Sequence, residues 1–289
     1  MKDFILFLDL IRLKKPIGIM LLFWPCLWGL TLANDFTNNN LQYVIYFIYF
    51  FLGSVLMRSA GCIVNDILDR KYDIMVERTK HRPIASGKIS VNLSLVYVTI
   101  LCSFAFLILI QFNYTTILLG LASMPFAFSY PLMKRYTNWP ELFLGFTFYY
   151  GLIMAWFSIK PEFSYIPIIF YLGAIFWTLA YDTIYGFQDI KDDEIIGVKS
   201  TSIKFKKNPK LFIFLCYSIF ISMQILTGVM MEFSNYYFIG IIIISVQLLI
   251  YQCLDLDVLN PNLCLKKFKS NNFLGLLVFL NILINKIYL

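Results

Sequence analysis

Long apolar runs dominate the chain, separated by short polar stretches. The runs at 16–33, 42–64, 91–111, 114–132, 141–159, 163–187, 210–231, 235–254 and 272–289 each match the length of a membrane-crossing helix, since about 17 to 25 apolar residues span a bilayer. The pattern predicts an all-α, polytopic membrane protein, a bundle of nine transmembrane helices with its longest connectors on one side. The basic residues give an independent signature. Lys2, Arg12, Lys14 and Lys15 precede the first run. Arg70, Lys71, Arg78, Lys80, Arg82 and Lys88 follow the second, and Lys134 and Arg135 the fourth. Lys191, Lys199, Lys204, Lys206, Lys207 and Lys210 follow the sixth, and Lys266, Lys267 and Lys269 the eighth. Only Lys160 and Lys286 fall on the other side, and Arg58 lies inside the second run. Bases gather on the cytoplasmic side of a membrane protein, or the equivalent side of an organelle membrane. A wrong number of crossings would scramble this alternation, so the bases support nine.

Composition narrows the picture further. The 289 residues are 60% hydrophobic and 14% charged, with a mean hydropathy of +0.73, and a soluble domain of this length needs more polar surface. The net charge of +7 follows from topology and anionic lipid, with no need for nucleic acid. The cysteines (Cys26, Cys62, Cys102, Cys216, Cys253 and Cys264) are scattered, form no CxxC pair, and read as small apolar fillers. One histidine, His81, cannot build a multi-histidine metal centre and makes a Ser-His-Asp triad improbable. Its basic connector marks it as solvated. No small-residue cleavage site follows the first run, so a cleavable signal peptide is not expected. Pro25 is expected to kink the first span.

Polar chemistry is concentrated in two connectors that share a pattern. NDILDRKYDIMVERT runs from Asn65 to Thr79 and QDIKDDEIIGVKST from Gln188 to Thr201. Both open on an amide residue and Asp, repeat Asp three places later, and close on a base followed by a hydroxyl. The repetition suggests an internal duplication within one domain covering 1–289. Asp66, Asp69 and Asp73 have the spacing of one helical face. Asp189 and Asp193 are one turn apart, with Asp182 two turns earlier on the same face. Crowded carboxylates repel one another unless a positive charge sits among them. Carboxylate-only ligation favours a hard cation such as magnesium, which takes one or two carboxylates and leaves other positions to water and phosphate oxygens. Arg70, Arg78, Arg82, Lys134 and Arg135 are suited to the remaining charge of a diphosphate. No GxxxxGK[ST] loop is present. A diphosphate presented at the edge of an apolar bundle points to a lipid diphosphate.

These stretches resemble the UbiA superfamily of intramembrane aromatic prenyltransferases, over nearly the whole chain. RLKKPIGIMLLFWPCLWGL, MRSAGCIVNDILDRKYD, ERTKHRPIASGKI, SYPLMKR and YDTIYGFQDIKDDEIIGVKST are each similar to a family segment. The resemblance implies a nine-span helical bundle with a central cavity capped by cytoplasmic connectors. It implies Mg2+ as cofactor, with Asn65, Asp69 and Asp73 (Asp66 beside them) holding one ion and Asp189 and Asp193 the other. Arg70, Arg82, Lys134 and Arg135 would hold the prenyl diphosphate. A polyprenyl diphosphate would donate to 4-hydroxybenzoate, in a bacterial or mitochondrial inner membrane. Asp69, Asp73, Asp189 and Asp193 are then the catalytic candidates.

The chemistry implied is ionisation to an allylic cation, attacked by an electron-rich ring carbon. Magnesium and the bases withdraw electron density from the diphosphate, and the bundle keeps out water. Aromatic faces stabilise a cation, and Tyr130, beside Lys134 in SYPLMKR, is the leading candidate. Arg58, the one base inside a span, is costly there unless paired and is placed to bind the acceptor's carboxylate; a structural pair with a helix carbonyl or acid is the alternative. Asp182 joins Arg58 and Tyr130 on the acceptor side. The ring proton passes to Asp189, Asp193 or water, and the sequence does not choose. Other acceptors, such as homogentisate, a naphthoate, haem or a chlorophyllide, remain open. An ion-coupled transporter fits less well, because transporters place their charges near the midplane and these acids lie at span ends on one side.

Overall fold

In a computed structural model, which describes residues 2–36 and 40–288, every regular element is a helix. The order is α1 (Lys2–Leu10), α2 (Ile17–Ala33), α3 (Leu41–Asp73), α4 (Val91–Leu109), α5 (Tyr114–Tyr136), α6 (Pro140–Phe148), α7 (Tyr150–Ile159), α8 (Tyr165–Gly186), α9 (Ile190–Ile196), α10 (Thr201–Lys204), α11 (Pro209–Met230), α12 (Asn235–Ser245) and α13 (Pro261–Tyr288). α12 continues as a π-helical stretch, Val246–Leu254. Among the described residues, 8 helical segments are long and apolar enough to cross a membrane, and Ile17–Ala33 is a shorter apolar helix beside them. Together they fall at the nine expected runs.

Three boundaries differ from the hydropathy pattern, each for a physical reason. α3 does not stop near residue 64 but continues to Asp73. At about 1.5 Å per residue its length exceeds a ~30 Å hydrocarbon core, so its last turns carry the aspartates beyond the apolar layer. α13 begins at Pro261 rather than near 272, so Lys266, Lys267 and Lys269 ride on a helix. Lys267 is fully buried, 2.5 Å from Asp255 Oδ2, which spares it the cost of an unpaired buried charge. The fifth span is broken at Tyr149 between α6 and α7, where the Tyr149 hydroxyl meets that of Tyr181 at 3.1 Å.

α2 is apolar on every face and is accordingly the central helix. Leu21, Leu27, Trp28, Leu30 and Leu32 are buried. It is one helix through Pro25. Its indoles anchor it to α13: Trp24 donates to Asn272 Oδ1 at 2.9 Å and Trp28 to the Gly275 carbonyl at 3.0 Å. Gly29 permits a backbone-to-backbone approach, because a Cβ there would strike the Leu152 carbonyl of α7. Trp28, Trp177 and Phe220 form an aromatic stack across α2, α8 and α11, with centroids 5.2 and 5.7 Å apart along it. One apolar core extends from Leu21 to Ile282.

The cap on the aspartate side is tied down by buried hydrogen bonds. Glu141, in the first turn of α6, accepts the Thr201 amide on both carboxylate oxygens at 3.1 Å. Thr183 and Thr201 share a 2.6 Å hydroxyl contact, and Ser202 donates to the Thr183 carbonyl at 3.0 Å. Gly197, at φ +78°, ends α9 in the left-handed conformation that glycine adopts without strain. Asp182 does not share one continuous helical face with Asp189 and Asp193, because α8 ends at Gly186 and a separate helix, α9, starts after Asp189.

Candidate active site

The aspartate-bearing ends of α3 and α8 face one another across a cavity of about 360 Å³. Asn65, Asp69 and Asp73 line it from α3, Arg78 and Arg82 from the following connector, and Tyr130 and Lys134 from α5. Asp182, Tyr185, Asp189 and Asp193 line it from the opposite side. The two sequence motifs thus enclose a single space.

Three of the cavity-facing bases, Lys134, Arg82 and Arg78, meet carboxylates that line the cavity with them. Lys134 is paired with Asp69 Oδ2. Arg82 Nη1 donates to both oxygens of Asp73, at 3.0 and 2.9 Å, and to Asp66 Oδ1 at 3.1 Å. Arg78 grips Asp189 in a two-point contact, with Nε 2.9 Å from Oδ1 and Nη2 on Oδ2, and donates to the Tyr185 hydroxyl at 2.6 Å. Burial works against the Arg78 charge, but Tyr185 and Asp189 outweigh it and raise its pKa. Asp193 forms no ion pair among the described residues. Burial, then repulsion from Asp189, pushes its carboxyl up to about 6, against the pull of Lys134 and Arg78.

Three expected site residues do not line the cavity. Asp66 is buried and turned toward Arg12, 2.5 Å away, and Arg82; it ties the N-terminal segment to α3 rather than facing the cavity with Asp69. Arg70 is at the exposed end of α3 and donates to the Ile67 carbonyl of its own helix, at 3.3 Å. Arg135 donates to the Leu68 carbonyl at 2.7 Å, lies over the Tyr72 ring, and stays 3.6 Å from Asp69. It braces α5 against α3. Asp66→Ala is accordingly expected to destabilise the fold, by about 3 kcal/mol as for a broken buried pair. A thermal unfolding curve matching wild type would remove that role.

Other residues emerge only in three dimensions. Arg12, one of the topological bases in the sequence, lines the cavity and sits at φ +54°, a left-handed conformation that a non-glycine residue adopts only under constraint. Arg78 is one of several candidate bases in sequence but the only one joined to Asp189. Glu141 holds the cap, and a glutamate beginning the helix after Trp139–Pro140 was its only signal. Arg58 lies 5.4 Å from the Phe148 ring centroid and forms no ion pair among the described residues. Gly18 leaves it room, since a Cβ there would come within 2.6 Å of its Nε. Asp182 likewise faces the cavity without an ion pair.

The donor set fits magnesium. Among the described residues no three Asp, Glu, His or Cys side chains close a metal cage, but magnesium needs only one or two carboxylates and completes its shell with water and phosphate oxygens. Asp69 lines the cavity, and its Oδ1 is buried and accepts no hydrogen bond, with Arg135 Nη2 3.6 Å away.

A helical membrane bundle with acids and bases around an internal cavity at one end defines a class: polytopic membrane proteins with a charged internal site. Residues 22–282 match the UbiA prenyltransferase family, and the chain belongs to it. A mitochondrial 4-hydroxybenzoate polyprenyltransferase of Dictyostelium discoideum is 39% identical over 287 residues, covering 97% of this chain and 60% of its own length. A 4-hydroxybenzoate octaprenyltransferase of Nitrosomonas eutropha is 38% identical, covering 96% of this chain and 95% of its own. The chain thus spans less than two thirds of the first relative but nearly all of the second. In fold it is similar to a UbiA homolog from Archaeoglobus fulgidus, solved bound to GPP and Mg2+, with a TM-score of 0.70 over 96% of this chain and 99% of that one at 18% identity.

Proposed function

We propose that the protein transfers a polyprenyl group from a polyprenyl diphosphate to the ring carbon ortho to the hydroxyl of 4-hydroxybenzoate, in an inner membrane, with the cavity facing the cytoplasm or matrix. The observation that carries this reading is the junction of two spaces. The polar cavity meets an apolar chamber at Arg58, Tyr130 and Phe148, which line both. A molecule with a diphosphate head and a hydrocarbon tail has a compartment for each end.

Asn65, Asp69 and Asp73 would hold one Mg2+ and Asp189 and Asp193 the other. When bound, the ions neutralise diphosphate charge and make it a better leaving group. Lys134, Arg82 and Arg78 release their carboxylates and bind diphosphate oxygens through charge-assisted hydrogen bonds. As the allylic C–O bond breaks, its electron pair stays on the diphosphate oxygen, where these bases stabilise it. Tyr130 and Phe148 present ring faces to the developing cation. Arg58 holds the acceptor's carboxylate and directs the ring toward the allylic carbon. The ring carbon then attacks, and its proton leaves to a cavity carboxylate or water.

Purified protein in detergent should therefore prenylate 4-hydroxybenzoate with Mg2+ and stop on addition of EDTA. In a panel with homogentisate and a naphthoate, 4-hydroxybenzoate should give the highest kcat/KM. Preference for another acceptor would move the assignment within the family, and full turnover without divalent metal would remove the ionisation step.

A further inference from the structure

The apolar chamber that meets the polar cavity has a volume of about 210 Å³ and lies between α3, α4, α5 and α7. On α3 its wall is built from Gly53, Met57 and Gly61, which share one face at i, i+4 and i+8. Gly61 is one turn from Arg58, beside the junction. Gly53 is about 12 Å further along the helix, toward Phe50 and Phe112, whose rings close the far end 4.8 Å apart. Phe106 of α4 and Leu121 of α5 line the chamber and are 48% and 46% exposed, so the wall between these two helices is the chamber's open side.

Neither glycine is explained by packing. A Cβ at Gly53 or Gly61 meets no atom within 4 Å. At Gly18, Gly29, Gly120 and Gly151, by contrast, it would collide with a neighbouring helix. Glycine in a helix interior is less stable than alanine. Here two glycines leave open space on the one face that borders the chamber. Two hydroxyls of its wall are satisfied within their own helices. Ser123 already donates to the Gly120 carbonyl at 2.7 Å and Thr147 to the Phe143 carbonyl at 2.9 Å.

We propose that this face of α3 gauges the hydrocarbon chain of the donor. Gly61 clears the isoprene units next to the allylic carbon, and Gly53 clears the stretch before the chain turns out between α4 and α5. The inference rests on the prenyl-transfer reading above. Side chains at the two positions therefore discriminate differently. Bulk at Gly61 obstructs every donor, whereas bulk at Gly53 obstructs long donors more than short ones.

The test is a chain-length profile. kcat/KM is measured for geranyl, farnesyl and octaprenyl diphosphate with wild type, Gly53→Leu and Gly61→Leu in the same detergent, with thermal unfolding as the check on folding. Gly53→Leu should lower the octaprenyl-to-geranyl ratio of kcat/KM at least tenfold, and Gly53→Ala should shift it the same way by less. Gly61→Leu should lower kcat/KM at least tenfold for all three donors. If Gly61→Leu does not fold, the Gly53 ratios decide. A Gly53→Leu profile parallel to wild type, at whatever absolute level, overturns the gauge and leaves prenyl transfer standing. A folded wild type that uses none of the three donors overturns the activity reading and the gauge with it.

Discussion

Asp69→Ala and Asp189→Ala each lower turnover of 4-hydroxybenzoate by at least ~10², equivalent to about 2.7 kcal/mol of transition-state stabilisation. The two aspartates come from opposite walls of one cavity, so neither motif substitutes for the other. Asp69 is buried between Lys134 and Arg135, and its removal also leaves Lys134 without its carboxylate. Asp69→Asn keeps the shape and a hydrogen-bonding oxygen, and separates lost charge from lost packing. Steady-state assays beside unfolding curves make the comparison. A folded Asp69→Asn or Asp189→Ala protein with near-normal turnover would take that residue out of the site.

Arg58→Ala should act on the other substrate, raising the KM for 4-hydroxybenzoate far more than that for the prenyl diphosphate. The lost charge pair in a poorly solvated pocket is worth about 2 to 5 kcal/mol. Arg58 suits this task because its positive charge faces the cavity against the Phe148 ring, and among the described residues no carboxylate is ion-paired to it. Arg58→Lys should rescue only in part, since an ammonium cannot reproduce the planar two-point contact. Arg82→Ala should show the opposite bias and weaken donor use first. Equal damage to both substrates, or only a loss of folded protein, would make Arg58 a structural residue.

Much of the architecture was legible because a bilayer imposes a length and charge pattern on every crossing. The spans and the side that carries the bases follow from that constraint alone. The ends of α3 and α13 were not legible, because hydropathy reports where apolar character stops and not where helical hydrogen bonding stops. α3 carries Asp66, Asp69 and Asp73 as helix, and α13 carries a buried Lys267 that reads in sequence as a connector base. The aspartate motifs announced the cavity, but residue spacing could not say which way each side chain turns. Asp66 and Asp69, three residues apart, face different partners because Arg12 draws one away. Arg78 on Asp189 and Glu141 on Thr201 join residues 111 and 60 positions apart, a pairing that single-sequence spacing does not encode. The chamber was equally silent, since Gly53 and Gly61 become informative only once the space beside them is seen.

The most direct measurement supplies the purified protein, in detergent or vesicles, with a polyprenyl diphosphate, ring-labelled 4-hydroxybenzoate and Mg2+, and identifies the product by mass spectrometry and NMR. The predicted result is one new carbon–carbon bond at the position ortho to the hydroxyl, with one diphosphate released per product. A product prenylated on oxygen, or diphosphate release with no prenylated ring, would contradict the account.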